Sequence, residues 1–182
     1  MNAIDFQQLV DRQYVPLYRF ALSLAKSEAD AADLTQQTFF LWASKGHQLR
    51  DGSKAKSWLF TTLYREFLTR RRREVRFPKV ELDDAREDEI AISPNINALD
   101  AATVSQALGE VEEPFRAPLT LFYLEQFSYR EIADVLGVPI GTVMSRLSRG
   151  KSQLRRRLLS KQELLDQKIV SFQSEQKEES HG

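Results

Sequence analysis

The sequence has no cysteine and only two histidines, His47 and His181, among 182 residues. Without cysteine, the chain can form no disulfide framework, thiolate zinc site or cysteine nucleophile. The two histidines lie in unrelated contexts, which argues against a histidine-rich metal site. No apolar run reaches the roughly 18 residues of a membrane helix, and Met1–Asp5 lacks the basic and apolar segments of a signal peptide. We therefore expect a cytoplasmic protein without a metal, a cofactor or direct membrane insertion.

Charge is balanced overall but distributed unevenly. Residues 50–76 carry nine cations and three acids, a net charge of +6, and residues 127–161 carry eight cations and two acids, again +6. Between them, residues 81–100 carry seven acids and one cation, a net charge of −6. One basic block is compatible with an ordinary solvated helix face. Two blocks separated by an acidic segment favour two DNA contacts on one chain.

The spacing of apolar residues predicts an all-α protein with two small helical domains. Apolar positions three and four apart predict helices over 5–26, bent or broken before Pro16, over 28–44, and from Ser57 into the arginine run at 70–73. These helices form a first domain, 1–76. Residues 77–100, with Pro78, Pro94 and the acids, predict a flexible linker. We expect a second helical domain over 101–160 and a polar tail over 161–182. No useful alternating strand pattern occurs.

The second predicted helix is apolar on more than one side. Its stretch Phe39-Phe40-Leu41-Trp42 carries more aromatic surface than one core face requires. One interpretation is that one face packs inward while another meets a partner. A helix enclosed within its own domain is equally compatible with this feature.

Residues 127–149 have the pattern of a helix-turn-helix. Ser128 and Glu131 form a capping box at a helix start, and Gly137 is a left-handed C-cap. A second helix begins near Pro139, with Val143 and Leu147 facing inward. Its outward residues suit a recognition helix in the major groove, where the first residues approach bases and later cations approach phosphates. An αα-hairpin used only for packing is the alternative.

With these segments in this order, the chain resembles a bacterial sigma factor of the extracytoplasmic-function group. Residues 30–42 are similar to the family stretch that docks on the clamp helices of RNA polymerase. Residues 57–65 and the arginine run resemble the segment that opens the -10 element, and residues 139–149 resemble the helix that reads the -35 element. The resemblance covers about residues 5–75 and 101–160.

The resemblance implies roles for three sets of residues and several partners. Core polymerase is expected at Asp33, Gln36, Phe39 and Trp42 on the helix 28–44. The -10 DNA is expected at Lys54, Lys56, Arg65, Glu66, Arg70, Arg71, Arg72 and Arg73, with a flipped-base pocket at 46–55. The -35 DNA is expected at Thr142, Met144, Ser145, Arg146, Ser148, Arg149 and Lys151. The implied partners are promoter DNA, the clamp helices of the largest polymerase subunit, the flap of the second largest, and an anti-sigma factor, with no small-molecule substrate.

Three departures from the family pattern affect these assignments. Ala32 and Gln37 stand where glutamates are common, no asparagine occurs near Glu66, and Met144 replaces a basic residue. Promoter sequence and polymerase affinity therefore do not transfer from the family. The missing carboxylates suggest the hypothesis that phosphorylation of Thr35 or Thr38 restores negative charge. The simpler alternatives are that the polymerase has co-adapted or that packing by Phe39 and Trp42 suffices.

Two other classes of function compete with the sigma factor. A conventional regulator would share the helix-turn-helix, but it has no use for an aromatic and arginine-rich first domain. An enzyme would need a glycine-rich phosphate loop, a metal-ligand cluster or a nucleophile beside a base, and the sequence shows none of these. The expected function is therefore a non-enzymatic sigma factor that directs promoter recognition and transcription initiation.

Overall fold

The structure, a computed structural model, describes residues 6–76 and 107–179, with side chains described through residue 159. Its helices are α1 (Phe6–Ala25), α2 (Glu28–Lys45), α3 (Ala55–Arg76), α4 (Glu113–Tyr123), α5 (Tyr129–Leu136) and α6 (Ile140–Glu179). Two short 3-10 turns, Gly46–Gln48 and Gly52–Lys54, connect α2 to α3. These ranges contain no strand, so the all-α prediction is confirmed. The predicted acidic linker, 77–100, lies outside the described residues.

Helix α1 runs without interruption through Pro16, so the prediction of a break there is wrong. Proline removes one backbone hydrogen bond from a helix interior and disfavours helical angles in the preceding residue. Here Leu9 precedes the proline on the buried face, and Leu17, Phe20 and Leu24 follow it. Burying apolar residues on both sides of Pro16 outweighs the local preference to stop.

The first domain packs α1, α2 and α3 around a shared aromatic core. Phe20 of α1 and Phe60 of α3 are fully buried, with ring centroids 5.4 Å apart. Trp42 of α2 meets Trp58 of α3 edge to face at 5.2 Å. The first contact joins α1 to α3 and the second joins α2 to α3, so all three helices depend on the same core.

The second domain places the predicted helix-turn-helix, α5 and α6, against α4. Ser128 accepts a hydrogen bond from the Glu131 backbone N–H, and the Glu131 carboxylate accepts from the Ser128 backbone N–H, which completes the capping box. Gly137 has φ 64°, the left-handed conformation expected of a C-cap glycine. Val143 and Leu147 are buried, as predicted. The helix-turn-helix is therefore present in the fold.

Helix α6 is 40 residues long and extends to Glu179. The predicted second domain ends at residue 160, and residues 161–182 are the predicted polar tail. Residues 161–179 contain no proline or glycine and are rich in Gln, Glu, Lys and Leu, which are good helix formers. Among the described helices, none has the length and apolar character needed to span a membrane.

The two domains pack against each other through α1 and α3 on one side and α4 and α5 on the other. The ring centroid of Phe127, just before α5, lies 5.0 Å from that of Phe60. The Arg19 side chain of α1 pairs with the Glu125 carboxylate at 3.1 Å. The apolar core of the first domain is therefore continued by residues of the second.

Candidate DNA and polymerase interfaces

The exposed side of α2 differs from the predicted docking face in its aromatic residues. Asp33 and Gln36 are exposed, as a contact surface requires. Phe39 and Trp42 are 7% and 6% exposed, so their assignment to an accessible face is wrong. Both rings contribute to the core that α2 shares with α1 and α3. The exposed aromatic is Phe40, at 66%.

Phe40 completes a polar and aromatic stripe on α2. Residues 33, 36 and 40 are separated by three and four positions and therefore share one helix face. The Asp33 carboxylate also lies 3.9 Å from the Arg70 guanidinium of α3. Phe39 and Phe40 are neighbours in one aromatic run, and the assignment from sequence selected Phe39, which is the buried ring of the two.

The two threonines considered for phosphorylation lie inside the first domain. Thr35 and Thr38 are fully buried, and their hydroxyls donate to the carbonyls of Ala31 and Leu34 at 2.8 and 2.7 Å. A kinase could reach neither hydroxyl in this fold, and a buried phosphate would carry an uncompensated charge. The phosphorylation hypothesis is therefore contradicted.

The loop between α2 and α3 is stabilised locally by Asp51. Its carboxylate accepts hydrogen bonds from the Ser53 backbone N–H at 3.0 Å and the Ser53 hydroxyl at 2.7 Å. These hydrogen bonds hold the pKa of Asp51 below its ordinary value. Lys54 follows in the same 3-10 turn and is exposed. The proposed flipped-base pocket in this loop stays a prediction.

The cations of α3 fall into an exposed group and a group engaged by other residues. Arg65, Arg72 and Arg73 are exposed, whereas Glu66 and Arg70 are half-buried. Lys56 is half-buried, and its ammonium donates to the Glu125 carbonyl at 2.6 Å. Arg71 forms an ion pair with Glu113 of α4. The second domain therefore contacts two of the eight residues assigned to -10 DNA.

The residues assigned to -35 DNA cluster on the open side of α6. Met144 is 53% exposed. The remaining members are exposed or half-buried, namely Thr142, Ser145, Arg146, Ser148, Arg149 and Lys151. Such a mixture of short polar side chains and cations can approach base edges and phosphates.

Two contacts restrict this surface. The Thr142 backbone N–H donates to the Pro139 carbonyl at 2.9 Å, so a phosphate would have to use the earlier N–H groups of the helix. The Lys151 ammonium lies 5.3 Å from the Phe122 ring centroid and 5.9 Å from that of Tyr123. Cation–π contact holds this ammonium over α4.

Tyr64 shows how near the two candidate DNA surfaces are to each other. Burial raises the pKa of its hydroxyl, while the positive charges of Arg146 and Arg71 act against that rise. Arg146, assigned to base reading, therefore lies within electrostatic range of α3. Within the described ranges, no cluster of His, Cys, Asp or Glu is arranged to hold a metal ion.

Comparison with known proteins places both domains in one context. Residues 9–77 match the family model for sigma-70 region 2, and residues 102–154 match that for sigma-70 region 4. The chain is 32% identical over 160 residues to the ECF RNA polymerase sigma factor SigE of Mycolicibacterium smegmatis, covering 83% of this chain and 60% of that protein. It is also 32% identical over 158 residues to the ECF RNA polymerase sigma factor SigL of Mycobacterium tuberculosis, covering 85% and 89%.

Solved structures show the same likeness. The sigma factor RpoE from Bartonella quintana, in complex with the anti-sigma factor NepR, matches with a TM-score of 0.71 and 32% identity. The match covers 86% of this chain and 98% of that chain. CnrH, in complex with the cytosolic domain of CnrY, matches with a TM-score of 0.58 and 26% identity, covering 85% and 88%.

Proposed function

Because this chain belongs to the extracytoplasmic-function sigma factors of RNA polymerase, we propose that its two domains divide promoter recognition between them. Residues 1–76 bind core polymerase and open the -10 element, residues 101–160 read the -35 element, and residues 77–100 link them. The observation that carries this division is the order of the two family matches along one chain. A conventional regulator would need only the second match.

The docking face for core polymerase is the stripe of Asp33, Gln36 and Phe40. These residues are exposed on one side of α2, whereas Phe39 and Trp42 of the same helix are buried in the core. An exposed phenylalanine beside polar residues is typical of an anchor residue in a protein interface. We expect the clamp helices of the largest subunit to cover this stripe, and the flap of the second largest subunit to contact the second domain.

Opening of the -10 element is assigned to α3 and the loop before it. Lys54, Arg65, Arg72 and Arg73 are exposed cations that can hold strand phosphates, while unstacked bases need ring surfaces. Trp58 is half-buried against Trp42, so its role is chiefly structural. Glu66 can accept a hydrogen bond from a cytosine amine but not from a phosphate.

The remaining parts of the proposal concern partners, chemistry and location. Both structural relatives are bound to another protein, and that partner in the RpoE complex is an anti-sigma factor. We propose that an anti-sigma factor also regulates this chain. Sigma factors are in general non-enzymatic initiation factors, and we propose the same here, with action in the cytoplasm beside the polymerase and the chromosome.

Reconstitution with core RNA polymerase tests the function directly. The expected result is a stable complex that transcribes genomic fragments which core polymerase alone does not, and sequencing those fragments gives the promoter motif. Gln36→Arg should weaken core binding about tenfold or more, since a charge at the centre of an interface must be desolvated. Gln8→Arg, the same substitution at an exposed position of α1, is the matched control and should bind normally.

Two results would contradict the proposal. Failure of the chain to associate with core polymerase would remove the sigma-factor function. Equal binding by the Gln36→Arg and Gln8→Arg variants would show that the docking face lies elsewhere.

A further inference from the structure

The exposed face of α6 has two chemically different edges. Successive residues of an α-helix are rotated by about 100°, so Met144, Ser145 and Arg146 point in three directions across this face. Met144 lies at one edge, Ser145 at the centre and Arg146 at the other edge. Val143 and Leu147, on the opposite side of the helix, are buried, which fixes how the exposed face is turned.

One of these edges is apolar. Ile140 and Met144 are separated by four residues and therefore lie on the same edge. They are 49% and 53% exposed. Neither side chain has a hydrogen-bond donor, and the methionine thioether is only a weak acceptor. This edge therefore offers no strong hydrogen bond to a phosphate or to a polar atom of a base.

Lys151 lies two turns beyond Met144 on the same edge but does not make it cationic. The Lys151 ammonium lies 5.3 Å from the ring centroid of Phe122 and 5.9 Å from that of Tyr123, both in α4. Cation–π contact holds the charge over these rings. The position of Lys151 is also about 10 Å further along the helix axis than that of Met144. The edge formed by Ile140 and Met144 therefore keeps its apolar character.

The opposite edge is polar and cationic. Thr142, Arg146 and Arg149 are separated by four and three residues, so they share this edge. Thr142 and Arg146 are half-buried, and Arg149 is exposed. The two sides of one helix therefore differ in the groups that they can bind, since one side suits phosphates and polar base atoms and the other suits an apolar group.

Short side chains separate the two edges. Gly141, Ser145 and Ser148 are exposed, and the Ser145 hydroxyl donates back to the Thr142 carbonyl at 3.0 Å. From residue 141 to residue 148, no long side chain stands at the centre of the exposed face to hold the helix away from a major groove. Met144 lies in the first part of this helix, where base contacts concentrate in a helix-turn-helix.

In the major groove, thymine presents an apolar group, its C5 methyl, whereas guanine, cytosine and adenine present hydrogen-bond donors and acceptors. We propose that Met144, supported by Ile140, selects thymine in the -35 element by contact with this methyl group. The inference rests on the proposed function, since it requires α6 to lie in the -35 major groove. We assign the apolar edge to DNA because it is continuous with Ser145 and Arg146 on the same exposed face.

The identity of residue 144 then determines which base is preferred. A basic residue at this position, as is common in the family, would donate to the O6 and N7 atoms of guanine. Methionine can make no such contact and gains instead from burying the thymine methyl. The chain is therefore expected to differ from basic-residue relatives in its -35 sequence at this position.

Replacing thymidine by deoxyuridine tests the methyl contact directly, because it removes the C5 methyl group and leaves the base-pairing groups unchanged. Holoenzyme containing the full chain is titrated with labelled promoter duplexes selected by transcription, in which each -35 thymidine is replaced in turn. We expect one or two positions at which deoxyuridine weakens binding about three- to fivefold, the factor expected for one buried methyl group.

Met144→Ala should abolish this effect at one of these positions, because the shorter side chain no longer reaches the methyl group. Thymidine and deoxyuridine duplexes should then bind equally well there. Leu159→Ala is the matched control. Leu159 is also 53% exposed on α6, but it lies about four turns beyond Met144, and its variant should keep the full effect.

Two further readouts distinguish a methyl contact from a general loss of binding. Met144→Arg should shift the preferred base at the sensitive position from thymine towards guanine, a change that misfolding does not produce. A methyl contact releases no counterion, so the affinity ratio of thymidine to deoxyuridine duplexes should be the same at low and high salt. Arg149→Ala, in contrast, should change the salt dependence.

Equal binding of thymidine and deoxyuridine duplexes at every -35 position would overturn the inference, and so would a methyl effect that persists in Met144→Ala or a selected -35 element without thymine. Weaker core polymerase binding by Met144→Ala with an unchanged methyl effect would assign the edge to the polymerase and also overturn it. If the holoenzyme forms but scrambling the whole -35 element leaves binding unchanged, then the proposed -35 role of the second domain is itself wrong.

Discussion

Gly150 of α6 lies so close to Leu119 of α4 that a Cβ atom at position 150 would fall 2.9 Å from the leucine Cδ1. The same atom would lie 3.0 Å from the Phe115 Cβ. Gly150 therefore sets how closely α6 crosses α4. Because Leu119 is fully buried and Phe115 packs against the core, neither neighbour can simply swing into solvent.

Substituting Gly150 should loosen the second domain. Alanine favours a helix interior over glycine by about 1 kcal/mol, but overpacking a core costs about 1–3 kcal/mol. The matched control is Gly141→Ala, at a position in the same helix where a Cβ meets nothing within 4 Å. Urea unfolding should show Gly150→Ala to be less stable than Gly141→Ala by about 1–3 kcal/mol. Equal stabilities would mean that the two helices can separate without cost.

A second close approach, between Gly46 and Trp42, predicts a defect in the first domain. A Cβ at position 46 would lie 2.7 Å from two atoms of the indole ring. Gly46→Ala should therefore displace Trp42 from its edge-to-face contact with Trp58, reduce the free energy of unfolding by about 1–3 kcal/mol and alter the near-ultraviolet circular dichroism of tryptophan. Gly109→Ala, where a Cβ meets nothing within 4 Å, should leave the tryptophan signal unchanged. An unaltered signal in the Gly46 variant would contradict this packing.

The pKa of Glu125 predicts how stability depends on pH. Burial raises this pKa above its ordinary value of 4.5, although the positive charges of Arg19 and Lys56 oppose the rise. Between the unfolded and folded pKa values the folded protein binds more protons at Glu125 than the unfolded chain does. Its contribution to the free energy of unfolding therefore falls as pH rises through that window.

Glu125→Gln removes this titration and serves as the comparison. As pH rises above the ordinary value of 4.5, the free energy of unfolding of wild type should fall relative to that of Glu125→Gln. Hydrogen bonds from Ser128 lower the pKa of Glu131, so its contribution to stability changes with pH in the opposite direction. Both proteins contain Glu131, and the comparison therefore cancels its contribution. A difference that stays constant with pH would show that Glu125 titrates like an exposed glutamate.

Substitutions on α6 should separate base reading from phosphate contact. Arg146, half-buried near the start of the helix, is expected to read bases, whereas exposed Arg149 is expected to contact phosphate. When the holoenzyme selects promoters from a library randomised at -35, Arg146→Ala should relax preference at particular positions. Arg149→Ala should weaken all sequences alike and reduce the salt slope by about one. Identical sequence preferences for wild type and Arg146→Ala would count against base reading by Arg146.

Local patterns in the sequence predicted the helix-turn-helix in residue-level detail. Ser128, Glu131 and Gly137 act on their own backbone neighbours, so their capping roles need no knowledge of the rest of the fold. The burial of Val143 and Leu147 was likewise predictable from local sequence, because their spacing of four residues places them on one helix face. The resemblance to extracytoplasmic-function sigma factors rested on such segments, and the comparisons confirm it.

Features that depend on more than one segment were predicted poorly. Pro16 was expected to bend or break α1, because the local cost of a proline is visible in the sequence while the burial of Leu17 and Phe20 is not. Phe39 and Phe40 are adjacent and chemically identical, so only the packing of α1 and α3 against α2 decides which ring is exposed. Thr35 and Thr38 were considered for modification because they lie on a stretch that lacks two carboxylates, and the same packing buries them.

The sequence by itself determined the two helical domains, the helix-turn-helix and the family, since each depends on short-range spacing and capping. Only the tertiary structure decided how the domains meet, because Glu125 lies 106 residues from Arg19 along the chain. No periodicity records a contact between a turn in one domain and a helix face in another. That contact depends on burying Phe127 against Phe60 and pairing a buried carboxylate, which are properties of the assembled chain.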